Sequence, residues 1–338
     1  MPHLFYHEYS YGSESTFNPI SVLLNGGLDE LQIYGHTNAF ADVPWDLGGT
    51  NVWRNILAPM PQINTYGWGK FLRQEIIPSS LDVEHAQFFP NYELHLIGGG
   101  MVYRKMSEWY DAHGYPFPSA WGAATVMTYH FINEIVENGP GQGSNVDAIA
   151  DLLIFDPLGI LLFSSDAVAN FFAHTLSLND WSYQPALSFS PFAARNVGQS
   201  FVMKYPISTS GNTSLFYHFG SFGVLGLSFK TNTEDSFSFG VGGSSKEVFV
   251  VDSFNGATTR SIIIAPMAGV YWDRNNSLLA SMVVSDSFTE IVRVNAFPGV
   301  FSLGGFSPGA FLSFQRVRGF SLGFTASFLP AGLGSFRP

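Results

Sequence analysis

The 338-residue chain is 46% hydrophobic and 16% aromatic but only 12% charged, with no cysteine and a net charge of −11. This excludes a disulfide framework, a thiolate metal site and a thiol nucleophile. The acidic balance argues against nucleic acid as a partner, because phosphates demand Lys and Arg. The charge is also uneven: residues 1–181 hold 5 basic and 19 acidic side chains, residues 182–338 hold 10 and 7. Two regions facing different solvents would produce such a split.

Residues 1–90 form a mixed segment punctuated by Gly, Pro and Asn. Short strands are expected at Pro2–Tyr11 and Leu31–Tyr34, and short helices at Asn18–Leu24 and Gly67–Ile77. The start, Met1-Pro2-His3-Leu4-Phe5, has neither a basic stretch nor a long apolar one, so the expectation is a mature chain without a signal peptide. No run reaches the ~18 apolar residues of a membrane-crossing helix. The nearest, Leu152 to Phe163, is interrupted by Asp156-Pro157.

Residues 91–180 change period and read as an apolar helical segment. A first helix runs from Asn91 to about His113, ended by Gly114 and the Pro116/Pro118 pair. Ser119 can cap a second, Ala120 to Asn138, followed by the connection Gly139-Pro140-Gly141-Gln142-Gly143. Ser144 with Asp147 resembles a capping box for a third, Val146 to Phe155. Asp156-Pro157 is expected to break or kink it before a further helical stretch to His174.

Residues 181–338 read as strands. Phe320-Ser321-Leu322-Gly323-Phe324-Thr325-Ala326-Ser327-Phe328 puts large apolar groups on one face and Ser, Gly and Thr on the other. Similar segments are expected near 183–189, 199–207, 214–230, 236–243, 246–252, 258–273, 277–286, 289–297, 299–305, 309–317 and 319–329. Turns such as Phe254-Asn255-Gly256 and Asp273-Arg274-Asn275-Asn276 separate some of them. Repeated aromatics on one face, with so little charge, fit a lipid-covered transmembrane sheet. The expected fold is a membrane β-barrel of about 8–12 antiparallel strands, with N-terminal α-helices plugging or flooring it. The last residues, Gly334-Ser335-Phe336-Arg337-Pro338, lack the final aromatic expected of a closing strand and read either as a short tail or as a cut end.

The candidate chemistry lies on the helices. His130, Glu134 and Glu137 fall at i, i+4 and i+7 on one face. A His and a carboxylate at that spacing can hold a metal or orient an imidazole as a general base. The first helix adds His95, Gly98-Gly99-Gly100, Arg104 and Glu108, and the third adds Asp147 and Asp151. A catalytic reading gathers His130, Glu134, His95 and Asp151 into one buried cluster. His130 is then the base, Glu134 or Asp151 orients it, and His95 binds a lipid head group. A quieter reading makes the histidines satisfied core residues, pairs Glu134 with Arg104 or a loop, and leaves Asp147 and Asp151 as helix-start and hydrogen-bonded structure. Either way, buried charges must be paired. No HExxH, GxSxG, EF-hand or phosphate loop occurs, so neither cofactor nor metal is expected. His218, in Phe216-Tyr217-His218-Phe219, is a candidate lumen residue.

Several helical motifs resemble a family of uncharacterised bacterial envelope proteins. They are Asn91-Tyr92-Glu93-Leu94-His95 with Gly98-Gly99 and Tyr103-Arg104, His113-Gly114-Tyr115-Pro116, Asn133-Glu134-Ile135-Val136-Glu137-Asn138, Asp147-Ala148-Ile149-Ala150-Asp151-Leu152 and Phe155-Asp156-Pro157-Leu158-Gly159. The resemblance spans about residues 15–180 and, more loosely, the strands. It implies an outer-membrane location and short helices beside a barrel, but no reaction. Three readings follow: an outer-membrane barrel with a structural, scaffold or transport role, a membrane-embedded lipid-modifying hydrolase or acyl transferase, and a water-soluble all-β protein with a helical insert. The expected partners are membrane lipid and envelope proteins.

Overall fold

A computed structural model describes residues 1–32, 40–78, 90–138, 146–231, 234–252, 258–286, 290–315 and 319–337. Within these, the side chains of Gln32, 246–252 and 258–263 are left undescribed. The expected connection at 139–143, the Ser144 cap, the Phe254–Gly256 turn and most of the strand at Leu31–Tyr34 lie outside the described residues. Leu31 and Gln32 close a 3-10 turn instead.

Among the described residues, eight α-helical stretches come first, besides short 3-10 turns. They are α1 (Pro19–Gly27), α2 (Trp45–Leu57), α3 (Pro59–Tyr66), and α4 (Trp68–Phe71, extended by a π-turn, Leu72–Ile76). Next, α5 begins as a π-helix, Asn91–Gly99, and continues as Gly100–Ala112. Then come α6 (Pro118–Asn138), α7 (Asp147–Ala150, Asp151–Phe155 and Asp156–Phe163) and α8 (Asp166–Asn170 with Phe171–Thr175). The Asn18 side chain caps α1, accepting the Ile20 and Ser21 N–H groups. Pro2–Tyr11 is irregular rather than a strand. Pro118 opens α6, so Ser119 lies inside it and is no cap. Pro157 does not break α7: the π-turn just before it widens the helix where a proline ring would otherwise crowd the preceding turn. The bend of 82° comes later, between Phe163 and Asp166. Among the described residues, no single helix is long and apolar enough to cross a membrane.

Thirteen strands follow: β1 (Asn179–Asp180), β2 (Ala186–Phe189), β3 (Phe192–Arg195), β4 (Ser200–Pro206), β5 (Thr213–Gly220), β6 (Phe222–Lys230), β7 (Asp235–Asp252), β8 (Thr258–Arg274), β9 (Ser277–Ser285), β10 (Glu290–Ala296), β11 (Gly309–Gln315), β12 (Phe320–Thr325) and β13 (Gly332–Arg337). They form one sheet in the order β1-β4-β5-β6-β7-β8-β9-β10-β11-β12-β13-β2-β3. All pairings are antiparallel except β13 with β2. The order runs from β1 to β3, not as a closed ring of whole strands, and it exceeds the 8–12 expected. Residues 214–230 are two strands split at Ser221, residues 236–252 belong to one, and 299–305 is not a strand. The supposed tail is β13, with Phe336 paired to Ser321.

The described side chains of this sheet are inverted relative to a water-soluble one. Leu225 (57%), Phe239 (52%), Val241 (69%) and Val270 (54%) are exposed, whereas Ser238 (2%) and Ser313 (0%) are buried. The alternation read from the sequence is real, but it is the apolar face that lacks protein cover. The buried face combines an aromatic cluster around Trp181, Phe216 and Tyr271 with polar pairs. Ser238 Oγ donates to Ser228 Oγ (2.8 Å), Asn196 Nδ2 to Asn295 Oδ1 (2.7 Å), and Lys204 Nζ meets Asp273 Oδ2 at 2.6 Å.

The N-terminal region is fastened to one end of the sheet. The Gly12 N–H bonds the Pro298 carbonyl, Ser13 Oγ the Asp180 carbonyl, and Ser21 Oγ the Pro330 carbonyl. Asn25 on α1 is buried; its Nδ2 donates to the Tyr183 carbonyl (2.9 Å) and its Oδ1 accepts the Gly198 N–H (3.1 Å). The Asn25→Leu variant strands both backbone groups, at about 1–3 kcal/mol each. Its thermal unfolding midpoint should fall by several degrees, and an unchanged midpoint would remove Asn25 as a clamp.

Candidate functional site

The polar cluster is assembled by close helix approach. A Cβ on Gly100 would lie 2.5 Å from the Phe163 ring and 2.8 Å from the Gly159 carbonyl. One on Gly159 would lie 2.8 and 2.9 Å from the Leu96 and His95 carbonyls. Glycine on both sides therefore lets α5 and α7 touch backbone to backbone. That contact sets His95 against Asp156 and Asp151.

His95 Nδ1 lies 2.9 Å from Asp156 Oδ1, and its Nε2 lies 3.4 Å from Asp151 Oδ2. His130 Nδ1 approaches the same Asp156 oxygen at 2.7 Å. The two imidazole centres are 4.2 Å apart. All four residues are buried. Asp156 is the hub, and the sequence reading passed over it as half of a helix-breaking Asp-Pro pair. Its signal was only that an aspartate in so apolar a run must find a partner.

His130 and Glu134 share a helix face but do not pair. Glu134 Oε2 accepts from Asn138 Nδ2 (2.9 Å), and its carboxyl also shares a hydrogen bond with Asp151. Arg104 does not reach Glu134; it pairs with Glu108 at 2.8 Å and Asp166 at 2.7 Å. Asp147 meets the carboxyl of Glu75, a residue of α4 that the sequence did not suggest. His95, His130, Glu134 and Asp151 thus do lie in one body of helices, with Asp156, Asp147 and Glu75 completing it.

The electrostatics follow from burial among so many acids. Burial, aided by Asp147, Glu134 and Asp156, pushes Asp151 well above the usual carboxyl range. Burial and Asp147 do the same to Glu75, and burial raises Asp147. Burial would also raise Asp156, but His130 and His95 outweigh it and hold Asp156 below its ordinary value. Burial opposes charge on His95, yet Asp156 overcomes it and raises its pKa. His130 falls to about 4, because burial and the neighbouring His95 outweigh Asp156.

Two groups have donor atoms close enough to share a cation: His95, His130 and Asp156, and beside them Glu134, Glu137 and Asp147. The His218 side chain is buried on the sheet's inner face, with Nε2 3.1 Å from Ser200 Oγ. Among the described residues its Nδ1 meets no hydrogen-bond partner, so none of them supplies the acid that a nucleophilic triad requires. No known protein family, characterised protein or solved structure matches the chain.

Proposed function

We propose that the chain is a bacterial outer-membrane β-barrel protein whose acidic helical body floors one end of the barrel, with a structural or scaffold role. The observation that carries this reading is the inverted sheet. Large apolar side chains project outward from β5 to β13, while serines, threonine, asparagine and arginine turn inward. In water a broad apolar surface drives aggregation; in lipid it is the solvated face.

The register supports closure. β1 pairs with β4 at Asn179↔Val202, and β2 pairs with β3 at Ala186↔Arg195. Between them the Trp181 N–H bonds the Ser200 carbonyl and the Tyr183 N–H bonds the Gly198 carbonyl, without any slip. β1 with β2, and β3 with β4, thus act as the two arms of one hairpin. Its second arm pairs with β5 and its first with β13, an arrangement that would bring the strand order back to its start in a barrel. Such a ring would have eleven arms, an odd number that goes with the parallel β13–β2 contact and departs from the even number usual for a bacterial single-chain barrel. The packed inner face around Trp181, Phe216 and Tyr271 favours a filled barrel over a wide transport channel.

Fractionation tests the reading. Expressed with an export signal in a Gram-negative host, the protein should sediment with outer membranes and migrate faster on a gel before boiling than after. Recovery as a detergent-free soluble monomer would refute it.

A further inference from the structure

We infer that His95, His130 and Asp156, with Asp151 beside them, form a binding site for a divalent first-row transition-metal ion. Three independent observations carry this. First, His130 Nδ1 and His95 Nδ1 converge on a single carboxylate oxygen at 2.7 and 2.9 Å. Cis ligands of an ion with bonds near 2.1 Å stand about 3 Å apart, and one donor atom from each of His95, His130 and Asp156 lies within 4.8 Å of the others, close enough to share an ion.

Second, the His130 contact is close but is not a directed hydrogen bond: His130 Nδ1 has no partner of hydrogen-bonding geometry. A nitrogen 2.7 Å from a carboxylate oxygen yet outside hydrogen-bonding geometry is placed to share an ion with that oxygen. Third, Asp156 Oδ2 is a buried oxygen with no hydrogen-bond donor, on a side chain only 1% exposed. It is a desolvated acceptor left without compensation, which proteins avoid. An ion between Asp156 and the two histidines would satisfy it.

The donor set names the class. Two imidazoles with carboxylate oxygens suit Zn2+, Fe2+, Co2+ or Mn2+ and disfavour Ca2+ and Mg2+, which take oxygen alone. Burial makes the role structural or redox-protected rather than that of an open catalytic centre. The ion would tie α5, α6 and α7 together at the point where they meet.

The test uses the full chain, folded in detergent and stripped with EDTA. Co2+ titration should give about one equivalent bound with visible d–d absorption, displaced by Zn2+. His95→Ala and His130→Ala should each weaken binding at least ~100-fold, while His174→Ala, at an exposed histidine, should change nothing. X-ray absorption of the Zn2+-loaded wild type should show two imidazole ligands, a readout that does not depend on the variants folding. Failure of the folded wild type to take up Co2+, Zn2+, Fe2+ or Mn2+ overturns the site. So does a bound ion without imidazole ligands.

Discussion

Val241→Arg should abolish or severely reduce assembly into bilayers. Val241 is 69% exposed on β7, between Leu225 of β6 and Ala268 of β8. A charged side chain on the lipid face of a barrel costs about 2–4 kcal/mol near the bilayer midplane and little near the interfaces. On the surface of a water-soluble sheet the same change would fall within about 0.5 kcal/mol. Val270→Arg, two strands from Leu225 on the same face, should behave alike. Refolding yield into lipid vesicles, read from protease protection, measures both. Wild-type yields for both variants would place this face in water.

Asp156→Asn should destabilise the helical body by about 3–5 kcal/mol, the range for removing one member of a buried ionic group. Asp156 is the acid nearest to both His130 and His95, so its loss leaves His130 without its carboxylate neighbour and His95 with only the more distant Asp151. Replacing charge and partners together, in Asp156→Leu with His95→Phe, should recover part of that loss, because the cost comes from the orphan and not from the absent pair. Urea unfolding followed by tryptophan fluorescence, in EDTA, reads this without any contribution from metal. A change below about 1 kcal/mol in Asp156→Asn would mean that the cluster does not hold the helices together.

The strand region was legible because period-two alternation survives whichever solvent covers each face. What alternation cannot mark is a break one residue wide. Ser221 separates β5 from β6 inside a run that keeps its pattern, and so the two read as one strand. β13 was illegible for the opposite reason: Gly332-Leu333-Gly334-Ser335 carries too little apolar weight to show a period, and its pairing with β12 and β2 is long-range. Among the helices, Gly48-Gly49 reads as punctuation but sits within α2. Pro59 opens α3, where its missing N–H is harmless. Gly48 is needed because a Cβ there would lie 2.1 Å from the Ile135 carbonyl.

At the site, spacing along one helix placed His130, Glu134 and Glu137 on a common face, and that was correct as geometry. Helix spacing says nothing about which neighbouring helix each residue faces. The partners came from α4, α5 and α7, through the Gly100–Gly159 contact. Asp156 was hidden because Asp-Pro is a strong local signal for a break, and a π-turn absorbed it.

The absence of cysteine makes one measurement especially direct, since every spin label can be placed without clearing a background. Single cysteines at 237, 238, 239, 240 and 241 of β7, labelled and reconstituted in lipid vesicles, report collisions with oxygen, which concentrates in lipid, and with a polar nickel complex, which stays in water. A lipid-facing barrel wall predicts high oxygen and low nickel accessibility at 237, 239 and 241, and low values for both at 238 and 240. High nickel accessibility at 237, 239 and 241 would show that water covers this face, and would contradict the barrel.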